Sequence, residues 1–275
     1  MCLLGPTAGQ GEPGEPGEAE ALLDRPDIAL LLVGLGLLPF LRALVGRLAP
    51  RDAGLPPAPW TVLEALIAFG GGVLMLAAHS LFAVFGVLGP LLHAACTLAT
   101  MGLLAIRSGH ARPDACRGSL GLGRGAGLRC GVIGAGAYLL FAPFLFGVLA
   151  LWPLLAARLG IELELQDVLR DVLSLQGTDF AAAVVLAVVI VPFLEELVFR
   201  GFVQSFLTSR LGPTGAILLT SIAFAWLHGP SAFGQILVLS LFLGWLQVRT
   251  GRLTASWVAH GLHNAATLVV ALWTL

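Results

Sequence analysis

Two adjacent glutamates and an arginine stand inside an apolar run from Phe180 to Leu207, within Val191-Pro-Phe-Leu-Glu-Glu-Leu-Val-Phe-Arg-Gly201. An ionisable side chain at the centre of a membrane costs at least about 2.5–3.5 kcal/mol, and such residues face a bundle interior or a wet cavity. Three of them within six residues need a purpose. On a helix, Glu196 and Arg200 are i,i+4 neighbours in the favourable order and neutralise each other. Glu195 projects about 100° away and finds no partner on its own helix. Glu196 and Arg200 therefore read as a structural ion pair, and Glu195 as the carboxylate left over for chemistry.

Two later apolar segments carry the groups that such a carboxylate would use. In Thr220-Ser-Ile-Ala-Phe-Ala-Trp-Leu-His228, Phe224 and His228 are i,i+4, so the ring packs beside the imidazole. In Ala255-Ser-Trp-Val-Ala-His260-Gly-Leu-His263-Asn264, His260 and Asn264 share a face, and His263 lies about 60° off that stripe. A single membrane histidine is ordinarily a hydrogen bond between helices, and His79 and His93, which lack spacing partners, keep that reading. A buried glutamate can act as a general base. A histidine beside it can orient a water, and a second histidine with an asparagine amide supplies donors for a developing oxyanion. This is equipment for water attack on an amide carbonyl without a covalent intermediate.

Other hydrolytic chemistries have less support. There is no HExxH zinc motif. Ser231, in Gly229-Pro-Ser-Ala, reads as a helix N-cap rather than a nucleophile. Cys2, Cys96, Cys116 and Cys130 are scattered without CxxC or His/Cys ligand spacing, so neither a disulfide framework nor a zinc site is expected.

The elements that position these groups are membrane helices. Hydrophobic residues make up 57% of 275 and charged residues 11%, and mean hydropathy is +0.93. Soluble domains carry about 25% charged residues, so the chain is an integral membrane protein. No basic cluster is interleaved with aromatics, which argues against nucleic-acid binding. Residues 1–27 form an acidic Gly/Pro-rich tail expected to be disordered, without the basic region of a cleavable signal. Residues 28–155 hold four expected spans, about 28–45, 61–84, 88–106 and 130–155. Residues 156–179 repeat apolar positions at Leu165, Val168, Leu169 and Val172, as in an interfacial amphipathic helix. Residues 180–275 hold four more spans, about 180–208, 214–229, 232–248 and 254–274. The predicted fold class is an all-α polytopic bundle of about eight transmembrane helices with a buried polar active site.

Arginine placement agrees with that count. Alternating links put Arg47, Arg51, Arg107, Arg112, Arg117, Arg124, Arg129, Arg210, Arg249 and Arg252 on one side, and only Arg25, Arg158 and Arg170 on the other. By the positive-inside rule both termini are extracytoplasmic. One tension accompanies this layout. If the sixth span begins at Thr214, His228 comes out nearer the outer face than Glu195 and His260.

Glu195-Glu196-x-x-x-Arg200, Phe224-x-x-x-His228 and His260-x-x-x-Asn264, in this order on separate spans and with Ala255-Ser256 ahead of the last, resemble the motifs of the CPBP intramembrane protease family. That family includes type II CAAX prenyl endopeptidases and bacterial proteins of bacteriocin processing or immunity. The resemblance covers roughly Phe180–Leu275. It implies that Glu195 is the water-activating base and His228 its partner on the water. It further implies that His260 and Asn264 form the oxyanion site, with Glu196 and Arg200 bracing the helix. Its members are commonly labelled metalloproteases, and two histidines with a glutamate could in principle hold zinc. The implied roles leave no dedicated ligand set, so no metal or other cofactor is favoured.

The implied partners are the bilayer and a membrane-associated protein or peptide substrate, prenylated or not. The compact architecture suggests the plasma membrane of a prokaryote. The competing class is a non-proteolytic membrane protein, such as a transporter, immunity protein or chaperone-like partner, using the same cluster as a gate. Inverted repeats with paired broken helices are not visible, which weakens the transporter reading.

Overall fold

The computed structural model describes residues 26–50, 58–77, 91, 95, 97–100, 102–104, 106, 120–121, 127–162 and 172–274. Among them there is no strand, and the protein is an all-α polytopic membrane bundle. Hydrocarbon offers a backbone no partners, so each spanning segment must satisfy its own amides, and the helix does this. The helices are α1 (Pro26–Leu48), α2 (Val62–Ala77) and α3 (Gly127–Arg158), followed by one long composite stretch and then α7 (Phe233–Thr250) and α8 (Leu253–Thr274). The composite stretch comprises α4 (Gly177–Val185), a π-helical turn (Leu186–Ile190), α5 (Val191–Glu196), a second π-helical segment (Leu197–Gln204) and α6 (Ser205–Leu227).

Four described helical stretches are long and apolar enough to cross a bilayer: Pro26–Leu48, Gly127–Arg158, Gly177–Leu227 and Phe233–Thr250. The third supplies two of the expected spans, because it doubles back inside α6. Gly212 takes φ 72 and ψ 170 there, a conformation open to glycine, and Pro213 cannot donate to the turn before it. The eighth expected span is α8, whose polar residues His260, His263 and Asn264 lower its apolar character. The second and third spans fall partly outside the described residues; His79, His93, residues 163–171 of the 156–179 segment and residues 1–25 of the N-terminal tail lie outside them.

Two boundaries move from those expected. The fifth span starts at Gly177 rather than near 180, because Asp179 in its first turn suits the positive end of the helix dipole. The fourth span starts at Gly127 and ends at Arg158, where a basic residue in the last turn suits the negative end.

Close backbone contact sets the first layer. Gly34 of α1 lies on the backbone of Phe144, and Gly147 of α3 on that of Leu31, at spacings no Cβ could enter. Such small-residue contacts let membrane helices pack by dispersion alone. Leu41 and Val45 of α1, Ile133 and Leu145 of α3, and Leu243 and Leu246 of α7 form the core between these helices. A second core joins Trp60 to Val198, Phe199, Phe202 and Phe224 around the charged stretch. On α6, Leu218, Leu219, Ile222 and Trp226 point outward, as a lipid-facing surface should.

The bundle has a basic end. A Cβ on Gly46 would lie 3.8 Å from the Arg249 guanidinium, and Leu253 N–H donates to Gly121 O at 3.2 Å. These contacts bring Arg47, Arg249 and Arg252 to one end of the bundle.

Candidate active site

Glu195 and Glu196 close α5, with a π-helical segment on either side. A π turn is wider than an α turn, so it redirects the side chains that follow and leaves carbonyls outside the regular ladder. Such turns are uncommon and concentrate at functional sites. Both glutamates are buried, with Glu195 3% and Glu196 0% exposed.

Glu196 is held by two partners from different helices. Its Oε2 lies 3.5 Å from Arg200 Nε, both side chains being fully buried. That spacing is coulombic rather than a good hydrogen bond. The guanidinium instead donates from its Nη2 to Ser240 Oγ of α7 at 3.1 Å, and its carbon lies 5.1 Å from the centre of the Phe224 ring. On the other side, Glu196 Oε1 pairs with His260 Nδ1 of α8 at 3.1 Å. A carboxylate facing an arginine is an acceptor, so the proton between Glu196 and the imidazole belongs on Nδ1.

That arrangement turns the other imidazole nitrogen to Glu195. His260 Nε2 lies 3.5 Å from Glu195 Oε2. From the opposite side His228 Nε2 lies 4.0 Å from Glu195 Oε1. His228 is orientated by its own helix end, where Nδ1 sits 2.7 Å from Phe224 O. Its side chain is 16% exposed, so the cluster reaches the surface on this side. Phe224 is the common wall, with its ring centre 4.5 Å from that of His228 and 6.0 Å from that of His260.

Glu195, Glu196, Arg200, Phe224, His228 and His260 thus come together from the composite stretch, α6 and α8. Asn264 is placed differently. Its Nδ2 donates to Ala187 O in the first π turn at 2.9 Å. His263 faces away, its ring 6.2 Å from that of Tyr138. Ser231 offers its carbonyl to Trp152 Nε1 at 2.7 Å. His228 stands level with Glu195 because the chain turns at Gly212, and the two residues are almost equally far from that turn on either side. The assumed start of the sixth span at the membrane face was the source of the apparent difference in depth.

Several contributors had weak signals in the sequence. Ser240 and Gly244 stand at i and i+4 on α7, where they meet Arg200 and Gln204. Gln204 Nε2 donates to Gly244 O at 3.1 Å. Trp257 donates to Val189 O at 2.9 Å, and only Pro192, with no N–H to give, hinted that carbonyls there would need outside donors. Among the described residues, no group of three or more His, Cys, Asp or Glu is arranged to hold a metal ion. Nothing among the described residues supports the metalloendopeptidase label, and nothing below is routed through a metal. An apolar groove of about 460 Å³ lies elsewhere, between Leu30, Leu139, Pro143, Phe146 and Val270.

Residues 177–266 match the family model described as Type II CAAX prenyl endopeptidase Rce1-like. No curated protein and no solved structure matches the chain. The matched stretch opens where α4 opens, and it contains every residue of the cluster and Asn264. The resemblance to the CPBP family holds over this stretch and points to an intramembrane protease in general. The match carries nothing of the bacteriocin-processing branch.

Proposed function

We propose that the chain is an intramembrane endopeptidase in which Glu195 activates water for attack on a peptide bond of a membrane-associated substrate. The observation that carries this reading is the placement of one buried carboxylate between two imidazoles, at 3.5 and 4.0 Å. The second separation is too long for a direct hydrogen bond, and a polar gap of that kind is where a bridging water belongs. A water held by His228 and Glu195 gives its proton to the carboxylate as its oxygen attacks the scissile carbonyl carbon. The carbonyl π electrons move to oxygen, where Asn264 donates through its second amide N–H, and His260 donates from Nε2 when that nitrogen also carries a proton, its Nδ1 proton being held by Glu196. When the C–N bond breaks, the proton held on Glu195 passes to the leaving nitrogen, giving an acid and an amine.

Glu196 and Arg200 serve this chemistry by fixing His260. Removing water from the surroundings strengthens each interaction in the cluster, and helices hold the groups more accurately than loops would. The substrate is a peptide or protein tail in the bilayer; prenylation of that substrate is a separate question for the assay.

The decisive experiment replaces Glu195 by Gln, which conserves shape but cannot take a proton from water at neutral pH. In reconstituted enzyme with a fluorogenic peptide, Glu195→Gln should lower turnover about 10²–10⁴-fold while peptide binding and melting temperature stay near those of the parent. Cleavage at the parental rate would defeat the protease reading and favour a gate.

A further inference from the structure

We propose that Trp257, Gly261 and Asn264 clamp α8 to the π turn Leu186–Ile190 and so set the height of His260 against Glu195. The inference rests on the protease reading for its catalytic consequence, but its structural basis is independent of it.

Within the turn, hydrogen bonds run from residue i to residue i−5, and Val191 N–H donates to Leu186 O. The next donor in that series is Pro192, which has no N–H, so Ala187 O has no partner along this ladder. A carbonyl left unmet in hydrocarbon is costly. Asn264 Nδ2 meets it at 2.9 Å. Two residues on, Val189 O is met by Trp257 Nε1 at 2.9 Å. Between them Gly261 lies so close that a Cβ there would sit 2.5 Å from Val188 O. Three consecutive carbonyls of the turn are therefore contacted by residues 257, 261 and 264, an i, i+4, i+7 stripe of α8.

His260 sits on the same side of α8, between the two donors. The Trp257 ring also meets Phe193, with centroids 5.1 Å apart and planes at 66°, so this one side chain grips the chain on both sides of Pro192. A slip of α8 by one residue would move His260 about 1.5 Å and break both hydrogen bonds. Displacements near 1 Å can lower turnover about 10²-fold. Trp257 touches no reacting atom, and it is a positioning residue.

Trp257→Phe keeps the ring against Phe193 and deletes only the donor. The expected result is a kcat lower by about 10-fold to 10²-fold with KM within twofold of the parent and an almost unchanged melting temperature. Amide exchange across Leu186–Glu196 should quicken about tenfold, with exchange across Phe233–Thr250 unaltered. Gly261→Ala, which pushes the turn away by its own Cβ, should do the same and serves if Trp257→Phe does not fold. Unchanged exchange across the turn in the folded variant overturns the clamp, and so does an unchanged kcat in an active parent. If the parent cleaves no peptide, the protease reading fails and the exchange data alone decide the clamp.

Discussion

His260 Nδ1 stands 3.1 Å from Glu196 Oε1, so the helix that carries the second imidazole is tied to the residue next to the proposed base. Glu196 is therefore more than half of an ion pair. It transmits the position of Arg200 to His260, and through the opposite ring nitrogen to Glu195. Four predictions follow this line of contacts outward.

Arg200→Ala should destabilise the protein as well as inactivate it. The substitution leaves Glu196 buried without its cation and removes the donor to Ser240. Breaking a buried pair in this way costs about 3–5 kcal/mol. A thermal melt in detergent checks the outcome, and an unshifted melting temperature would mean that the pair contributes nothing in the membrane-inserted state.

The two polar faces of the site should separate by histidine. His228→Ala should resemble Glu195→Gln, since both residues hold the same water in the proposed mechanism. His263→Gln should remain close to parental activity, because its ring packs on Tyr138 and not on the cluster. Equal losses at the two positions would show that the water site lies elsewhere.

Asn264→Ala should lower kcat about 10²–10³-fold with little change in substrate binding, through loss of the oxyanion donor of the proposed mechanism. It also removes the donor to Ala187 O. Adding Pro192→Ala to this variant restores a backbone N–H near that carbonyl, and should recover melting temperature but not kcat. Recovery of kcat as well would assign Asn264 wholly to the turn.

The arginine bias gives a topology test. Both termini are expected outside the cytoplasm, with the Arg47, Arg249 and Arg252 end of the bundle inside. Single cysteines placed after Trp273 and beside Arg249, labelled from either side in intact cells, report this directly. A cytoplasmic label at the C-terminus would contradict the assignment.

What the sequence determined by itself follows from the cost of charge in hydrocarbon. Glu195, Glu196 and Arg200 stand out because such residues persist in an apolar run only when something holds them, and the i,i+4 spacing already pairs two of them. The all-α membrane class was legible for the same reason, since long apolar segments have only one way to satisfy their amides alone. Tertiary structure decided the rest. Which face of α8 meets Glu195 depends on helix packing across the chain, and local periodicity does not report it. The level of His228 depends on where the chain turns, and that is settled by one backbone conformation at Gly212 rather than by where the apolar run seems to begin. The π turns are likewise invisible in periodicity. The first of them arises where Pro192 removes one donor and α8 supplies others, a trade between residues far apart in sequence that only the folded bundle brings into contact.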